Sequence, residues 1–81
     1  MKINSSKMKI FKLDSEYIPL IQLLKVMRIA NSGGEAQAMV EDGLVTLNGK
    51  PESRKRAKIR DGDIIKCGKD EVVVKRIQVT E

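Results

Sequence analysis

Several residue types are missing or scarce in this 81-residue sequence, and each shortage argues against a class of function. There is no histidine, and Cys67 is the only cysteine, so no internal disulfide bond can form. A glycine-rich phosphate loop of the Walker type is also missing. The nearest carboxylate pair, Asp61 and Asp63, lies in a predicted turn beside basic residues, which makes a poor cation site. The sequence therefore predicts a protein without catalytic residues, metal or cofactor.

No stretch of the sequence approaches the ~18 consecutive apolar residues that a membrane-spanning helix requires. The segment from Met1 to Lys7 lacks the apolar run and the cleavage site of a signal peptide. Together with the lone cysteine, these features predict a protein of the reducing cytoplasm that does not act at a membrane.

Aromatic residues are almost absent, since Phe11 and Tyr17 are the only two. Proteins that bind single-stranded nucleic acid stack bases on aromatic side chains, so an RRM-like or cold-shock-like mode of binding is not expected. The core has to come from Ile, Leu, Val and Met, and a chain this short builds one modest core. We expect a single domain over residues 9–81, preceded by a flexible segment over residues 1–8.

What the sequence does contain is a concentration of positive charge. Its net charge is +5, from 16 basic and 11 acidic residues. Residues 50–60, called the basic loop below, hold six of these basic residues and one acid, which leaves ten of each sign elsewhere. The basic loop therefore carries the entire excess, a pattern typical of proteins that bind a polyanion.

Two helices are predicted in the first half of the chain. Over about residues 19–27 the apolar residues recur at helical spacing, and Ser15 or Asp14 is the expected cap. The second helix begins with the capping box Ser32-Gly33-Gly34-Glu35 and ends at Gly43. Because only a short stretch separates them, the two helices should pack together as a hairpin.

After the second helix the apolar residues alternate, which indicates strands. Asn48-Gly49 predicts a tight hairpin turn, and Asp61-Gly62 and Gly68-Lys69-Asp70 predict two more turns. Further strands are expected near the two ends, over residues 9–13 and 71–79. The expected fold class is α+β, with a helical hairpin packed on a small, mostly antiparallel sheet.

The basic loop offers the side chains that nucleic-acid binding requires. Lys and Arg neutralise phosphates, and Arg can hold one phosphate through two parallel N–H bonds. The predicted contacts are Lys50, Arg54, Lys55, Arg56, Lys58 and Arg60. Gly33 and Gly34 are weaker candidates, because glycines at a helix start let a phosphate approach free N–H groups. The capping box competes for the N–H groups at that helix start.

Three stretches of the sequence carry a resemblance to a known family. They are residues 30–36, 40–50 and 59–65, in which a helix end, a strand, an Asn-Gly turn and a Gly-Asp turn follow in order. Over about residues 17–66 the sequence closely resembles the S-four domain, an RNA-binding module named after a small-subunit ribosomal protein. In particular it looks like the short, freestanding bacterial members of that family.

The resemblance implies binding to structured RNA, of the ribosomal or transfer RNA class, on a face made by the two helices and the basic loop. Most members carry an arginine near the start of the first helix and another just after the serine of the second. This chain has Pro19 and Gly33 at those positions. The basic loop is therefore expected to make most of the RNA contacts, with Lys25 and Arg28 as secondary ones. The resulting hypothesis is a monomeric, non-catalytic RNA-binding protein, with or without ribosome association, that has no small-molecule substrate.

Other hypotheses fit the residues less well. A basic protein-interaction module that docks on an acidic partner stays open as the alternative. Sulfur carriers of the ubiquitin-like type share the two turns but need a C-terminal Gly-Gly, and this chain ends in Thr80-Glu81. A membrane surface is not favoured, because only Ala57 and Ile59 interrupt the charges of Arg54–Arg60. DNA binding is harder to reject, because the phosphate contacts are shared, but no recognition helix is evident. The second helix exposes Glu41 and Asp42, which a phosphate-lined groove would repel.

Overall fold

Two helices pack on a five-stranded sheet in the computed structural model, which describes residues 7–77. The elements along the chain are β1 (Lys7–Leu13), β2 (Ile18–Pro19), α1 (Leu20–Val26), α2 (Gly33–Glu41), β3 (Val45–Leu47), β4 (Lys50–Pro51), β5 (Lys58–Ile59), β6 (Ile64–Cys67) and β7 (Asp70–Arg76). The predicted α+β class, with a helical hairpin on a mostly antiparallel sheet, is confirmed.

The sheet has the strand order β1-β7-β6-β3-β4, and all its neighbours are antiparallel except β1 and β7. In that parallel pair Phe11 lies opposite Val74. Parallel neighbours need a long crossover connection, and here both helices and the basic loop lie between the two strands. The sequence did not predict this pairing. It also did not predict a second, two-stranded sheet, in which β2 and β5 pair Ile18 with Ile59.

The core is aliphatic, as the composition predicts. Its largest fully buried side chains are Leu13, Leu20, Leu23, Leu24, Val40, Val45, Ile59, Ile65, Val72 and Val74. Phe11 is only partly buried and packs against this cluster. Cys67 is buried on β6, and burial raises the pKa of its thiol, with the charge of Asp70 adding to the effect. The cysteine therefore serves as a small core residue.

The two helices begin in different ways. At α2 the hydroxyl of Ser32 accepts a hydrogen bond from the N–H of Glu35 (3.1 Å), and the carboxylate of Glu35 accepts one from the N–H of Asn31 (2.6 Å). This is the predicted capping box, except that Glu35 reaches the N–H of Asn31, one residue before the N-cap Ser32. The cap predicted for α1 at Ser15 or Asp14 is wrong. The helix itself starts at Leu20, close to the predicted residue 19, and the chain before it is extended in β2.

The turn after β3 is tied to the turn before β6. Asn48 has a left-handed backbone (φ 53°), as does Gly49 (φ 88°), which confirms the predicted tight turn. The side-chain oxygen of Asn48 accepts a hydrogen bond from the N–H of Ile64 at 2.8 Å. Its amide nitrogen donates to the Asp63 carboxylate at 3.1 Å. One side chain thus joins two turns that lie far apart in the sequence.

Some predicted boundaries fall beyond the described residues. Most of the segment predicted to be flexible, residues 1–8, lies outside them, but Lys7 and Met8 belong to β1. Strand β7 ends at Arg76, so Ile77 is not part of the strand, contrary to the prediction, and the rest of the predicted continuation, residues 78–79, lies outside. No helix within residues 7–77 is long and apolar enough to span a membrane.

We expect Asn48→Ala to destabilise the fold more than Asn48→Gly. Both substitutions remove the two side-chain hydrogen bonds, which together should cost about 1–2 kcal/mol. Alanine additionally has to adopt the left-handed conformation, which costs about 1 kcal/mol more, whereas glycine adopts it freely. Urea denaturation of the three proteins measures both differences. Equal losses in the two variants would contradict a contribution from backbone conformation.

Candidate nucleic-acid interface

The basic loop is held against the start of α1 by backbone hydrogen bonds. The N–H of Leu20 donates to the carbonyl of Ala57 at 2.9 Å, and the N–H of Ile21 donates to the carbonyl of Lys55 at 3.3 Å. N–H groups in the first turn of a helix have no partner within that helix. The loop carbonyls therefore cap α1, which lacks a side-chain cap.

Alternate side chains of the loop point into the core and into solvent. Ala57 and Ile59 are buried, whereas Arg56, Lys58 and Arg60 beside them are exposed. This is the two-residue alternation of an extended chain, and the pairing of β5 with β2 maintains it. The two buried apolar residues thus anchor the loop and present its cations on one surface.

Glu52, the only acid of the loop, is 9% exposed and orients an arginine. Its carboxylate accepts hydrogen bonds from the Arg54 backbone N–H (2.9 Å), from Nε (3.0 Å) and from a terminal guanidinium nitrogen (3.2 Å). The bonds from the Arg54 side chain are the main reason that the pKa of Glu52 lies below its ordinary value of 4.5, and burial opposes them. Since the Arg54 side chain remains 77% exposed, its orientation is restricted while it stays open to a ligand.

The cations line two shallow grooves that join. The loop groove is lined by Ser53, Arg54, Lys55, Arg56, Ala57, Lys58 and Arg60. The α1 groove is lined by Tyr17, Pro19, Ile21, Gln22, Lys25, Lys55, Arg56 and Lys58. Because Lys55, Arg56 and Lys58 belong to both, one cationic surface runs from the basic loop along α1 to Lys25.

The structure brings most of the predicted site residues together on this surface. Arg54, Lys55, Arg56, Lys58, Arg60 and Lys25 all line one groove or the other. Gly33 borders it, since a Cβ atom placed there would lie 3.9 Å from Cδ of Lys25. Lys50 and Arg28 are exposed but line neither groove. They remain predicted contacts at the margin of the surface.

The predicted competition for N–H groups at the start of α2 does not arise. The two hydrogen bonds of the capping box go to the N–H groups of Glu35 and Asn31. Neither goes to Gly33 or Gly34, the two glycines predicted to admit a phosphate. The capping box is therefore compatible with a ligand at those two residues.

Arg28 has an unusual backbone conformation. It follows the end of α1 with φ at 61°, in the left-handed region that favours glycine. Its N–H donates to the carbonyl of Lys25, and the N–H of Ile29 donates to that of Leu24, both at 3.0 Å. This hydrogen-bond pattern is the Schellman motif, in which the residue at the position of Arg28 is usually glycine. An arginine at this position costs about 1–2 kcal/mol.

Several residues at the surface were not predicted as part of the site. Tyr17 and Gln22 line the α1 groove, and Nζ of Lys58 lies 5.1 Å from the centre of the Tyr17 ring. Glu41 of α2 is 3.6 Å from Nζ of Lys55 and links the second helix to the loop. Both contacts join residues that are distant in sequence, so no local pattern could have indicated them.

The acidic pair considered in the sequence as a cation site has a structural role. Asp63 accepts a hydrogen bond from the N–H of Arg60, and Asp61 accepts one from the N–H of Arg76, both at 2.8 Å. These bonds confirm the expected turn, stabilised by side-chain to backbone hydrogen bonds. Within residues 7–77, no group of three or more potential metal ligands is found.

Comparisons with known proteins agree with the family that the sequence resembles. The family model of the S4 domain matches residues 11–75. The probable ribosome maturation protein RlbA of Bacillus subtilis (strain 168) is 34% identical over 53 residues, which are 65% of this chain and 75% of that protein. The solution structure of YbcJ from E. coli, described as revealing an ALFAL motif involved in RNA binding, superposes with a TM-score of 0.68 at 32% identity. The match covers 93% of this chain and 96% of YbcJ.

We expect the contribution of Glu52 to stability to depend on pH. Because the folded chain lowers the pKa of this carboxyl, the charged form stabilises the fold above pH 4.5, and this stabilisation is lost as the pH falls through the lower folded value. Glu52→Gln should therefore be less stable than the wild type at pH 7, by up to about 1 kcal/mol, since its partner is largely exposed. Urea denaturation measures the difference, which should shrink steadily below pH 4.5.

The control for this prediction is Glu16→Gln, which removes an exposed acid outside the basic loop. Its stability should match that of the wild type at pH 7. A difference between Glu52→Gln and the wild type that stays constant from pH 7 to pH 3 would contradict a role for the charge.

Proposed function

This chain belongs to the S4 domain family, and from that membership we propose that it binds structured RNA through the basic loop and the adjoining face of α1. One observation carries the proposal. Five exposed cations of the basic loop, together with Lys25 of α1, line two joined grooves, and backbone hydrogen bonds hold the loop in place; the five are Arg54, Lys55, Arg56, Lys58 and Arg60. YbcJ, a similar structure, is described as having a motif involved in RNA binding, which supports RNA as the ligand.

The chemistry of the surface suits an RNA backbone. Cations that neutralise phosphates release condensed counterions, which supplies most of the affinity for a nucleic acid. Arg56 and Arg60 can each hold a phosphate through two N–H bonds, and Lys55 and Lys58 add point charges between them. The deep, narrow major groove of an RNA helix cannot be read by side chains, so folded RNA is recognised through its shape and its phosphates. The cationic surface, with a loop that backbone hydrogen bonds hold in place, fits that requirement.

We further propose that the ligand is of the ribosomal or transfer RNA class. RlbA of Bacillus subtilis is named a probable ribosome maturation protein, which favours ribosomal RNA. The protein would act as a monomer in the cytoplasm and bind without catalysing a reaction. Lys50, Arg28, Gly33 and Gly34 would contribute secondary contacts at the margin of the cationic surface.

We expect replacement of Arg54, Lys55, Arg56 and Lys58 by Ala to weaken RNA binding at least tenfold at physiological salt. Each phosphate contact contributes roughly 0.7–0.9 to the slope of log affinity against log salt, so the slope should flatten by roughly 3. Fluorescence anisotropy with a labelled RNA hairpin, a single-stranded RNA and a DNA duplex measures both quantities over a salt series. The wild type should bind the hairpin most tightly.

A matched control replaces Lys12, Lys66, Lys69 and Lys75, which are exposed and line neither groove. This control also removes four positive charges. If the phosphate contacts are confined to the grooves, the slope of log affinity against log salt for the control should stay close to that of the wild type. Equal losses in the two variants would mean that only net charge matters. Weak binding of all three nucleic acids by the wild type, unchanged by the substitutions, would instead favour the alternative, a module that docks on an acidic protein.

The conformation of Arg28 allows its side chain to be tested without harm to the fold. Arg28→Gly removes the conformational cost of a left-handed arginine, about 1–2 kcal/mol. It adds the entropic cost of a more flexible unfolded chain at glycine, about 0.5–1 kcal/mol. Stability in urea should therefore stay the same or rise by up to about 1.5 kcal/mol. RNA affinity should fall severalfold through the loss of one phosphate contact. Unchanged affinity in this variant would remove Arg28 from the interface.

A further inference from the structure

Tyr17 is the one aromatic side chain, within the described residues, that lines the cationic surface. It is 40% exposed, whereas Phe11 is partly buried and packs against the core. We propose that the α1 groove binds one unpaired nucleotide of the RNA, with its base stacked on the Tyr17 ring. This inference rests on the proposed function and names a feature that the RNA must carry.

The lining of the α1 groove combines the groups that a nucleotide requires. Tyr17, Pro19 and Ile21 supply an aromatic and aliphatic wall for the flat faces of a base. Gln22, which is exposed, has an amide that can both donate and accept hydrogen bonds at the edge of a base. Lys25 and the loop cations surround these groups and complement the phosphates on either side of the nucleotide. The loop groove has the cations but no aromatic ring.

The contact between Lys58 and the Tyr17 ring supports a nucleotide as the occupant of the α1 groove. Its Nζ lies 5.1 Å from the centre of the Tyr17 ring, so in the free protein a cation occupies the aromatic face. Stacking of a base on an aromatic ring is the stronger contact, because a cation–π contact at an exposed site is weak. A base would therefore displace the ammonium group of Lys58. Since Lys58 lines both grooves, the displaced ammonium can then pair with a neighbouring phosphate.

The nucleotide has to be unpaired, because a base inside an RNA helix is already stacked on both faces. It also has to be single, because the surface offers one ring. The predicted ligand is therefore an RNA helix with one extruded nucleotide, either a bulge or the first residue of a loop. The phosphates of the helix would lie along the loop groove, and the extruded base would lie in the α1 groove.

The test compares two RNA hairpins that are identical except for a single bulged 2-aminopurine in one of them. The wild type should bind the bulged hairpin roughly tenfold more tightly than the paired one, as expected for one stacked base. Tyr17→Phe keeps the ring and should keep this ratio. Tyr17→Leu removes the ring, so its ratio should fall to about one. The fluorescence of 2-aminopurine should be quenched on binding to the wild type and to Tyr17→Phe, but not to Tyr17→Leu.

The outcomes separate this inference from the proposed function. Equal affinity of the wild type for the two hairpins, or a ratio that persists in Tyr17→Leu, would overturn the nucleotide site. The proposed function would still stand if the paired hairpin bound and the four substitutions in the basic loop weakened it. Failure of the wild type to bind either hairpin would overturn both. Thermal unfolding of the two Tyr17 variants controls for loss of structure.

Discussion

Two backbone hydrogen bonds, from the first turn of α1 to the carbonyls of Lys55 and Ala57, are the contacts on which the rest of this surface depends. The six cations of the basic loop repel one another, and their side chains have to stay in water to remain available. Backbone hydrogen bonds and the buried apolar residues between the cations hold the loop in place without covering its charges. The helix depends on the loop in turn, because α1 has seven residues and no side-chain cap.

The acids near the loop orient cations and leave the surface positively charged. Glu52 holds Arg54 through three hydrogen bonds, and Glu41 holds Lys55 at 3.6 Å. Within residues 7–77, Arg56 and Arg60 form no ion pair with an acid. Two cations of the surface are thus restricted before a ligand arrives, which lowers the entropy lost on binding. The remaining cations of the surface, Arg56, Lys58, Arg60 and Lys25, are in neither of these two ion pairs.

The parts of the fold that could be predicted from sequence are those decided by neighbouring residues. The capping box of Ser32 and Glu35, the helix end at Gly43 and the turn at Asn48-Gly49 each depend on a few consecutive residues, and each is present. The clustering of the loop cations could likewise be predicted from their positions in the chain alone. The family resemblance then supplied the helix face beside the loop, which charge alone did not indicate.

What the sequence did not reveal depends on contacts between distant segments. The parallel pairing of β1 with β7 and the small sheet of β2 and β5 join parts of the chain that no local pattern links. The cap of α1 was misplaced because β2 keeps the chain extended up to Pro19, and the cap comes instead from carbonyls of the distant basic loop. Tyr17 was discounted because two aromatics are too few for a stacking platform. Tyr17 becomes a candidate for stacking one base only when its neighbours in the structure are known, because Lys58, which lies beside it, is distant in sequence.

The left-handed conformation of Arg28 has a consequence for the evolution of this chain. A single base change in any arginine codon of the CGN or AGA/AGG type gives glycine, and at this position glycine is at least as favourable for the fold. Random mutation should therefore replace this arginine readily in lineages where its side chain is unused. Where the arginine persists among descendants, its persistence would report selection on the guanidinium group itself rather than on the stability of the protein.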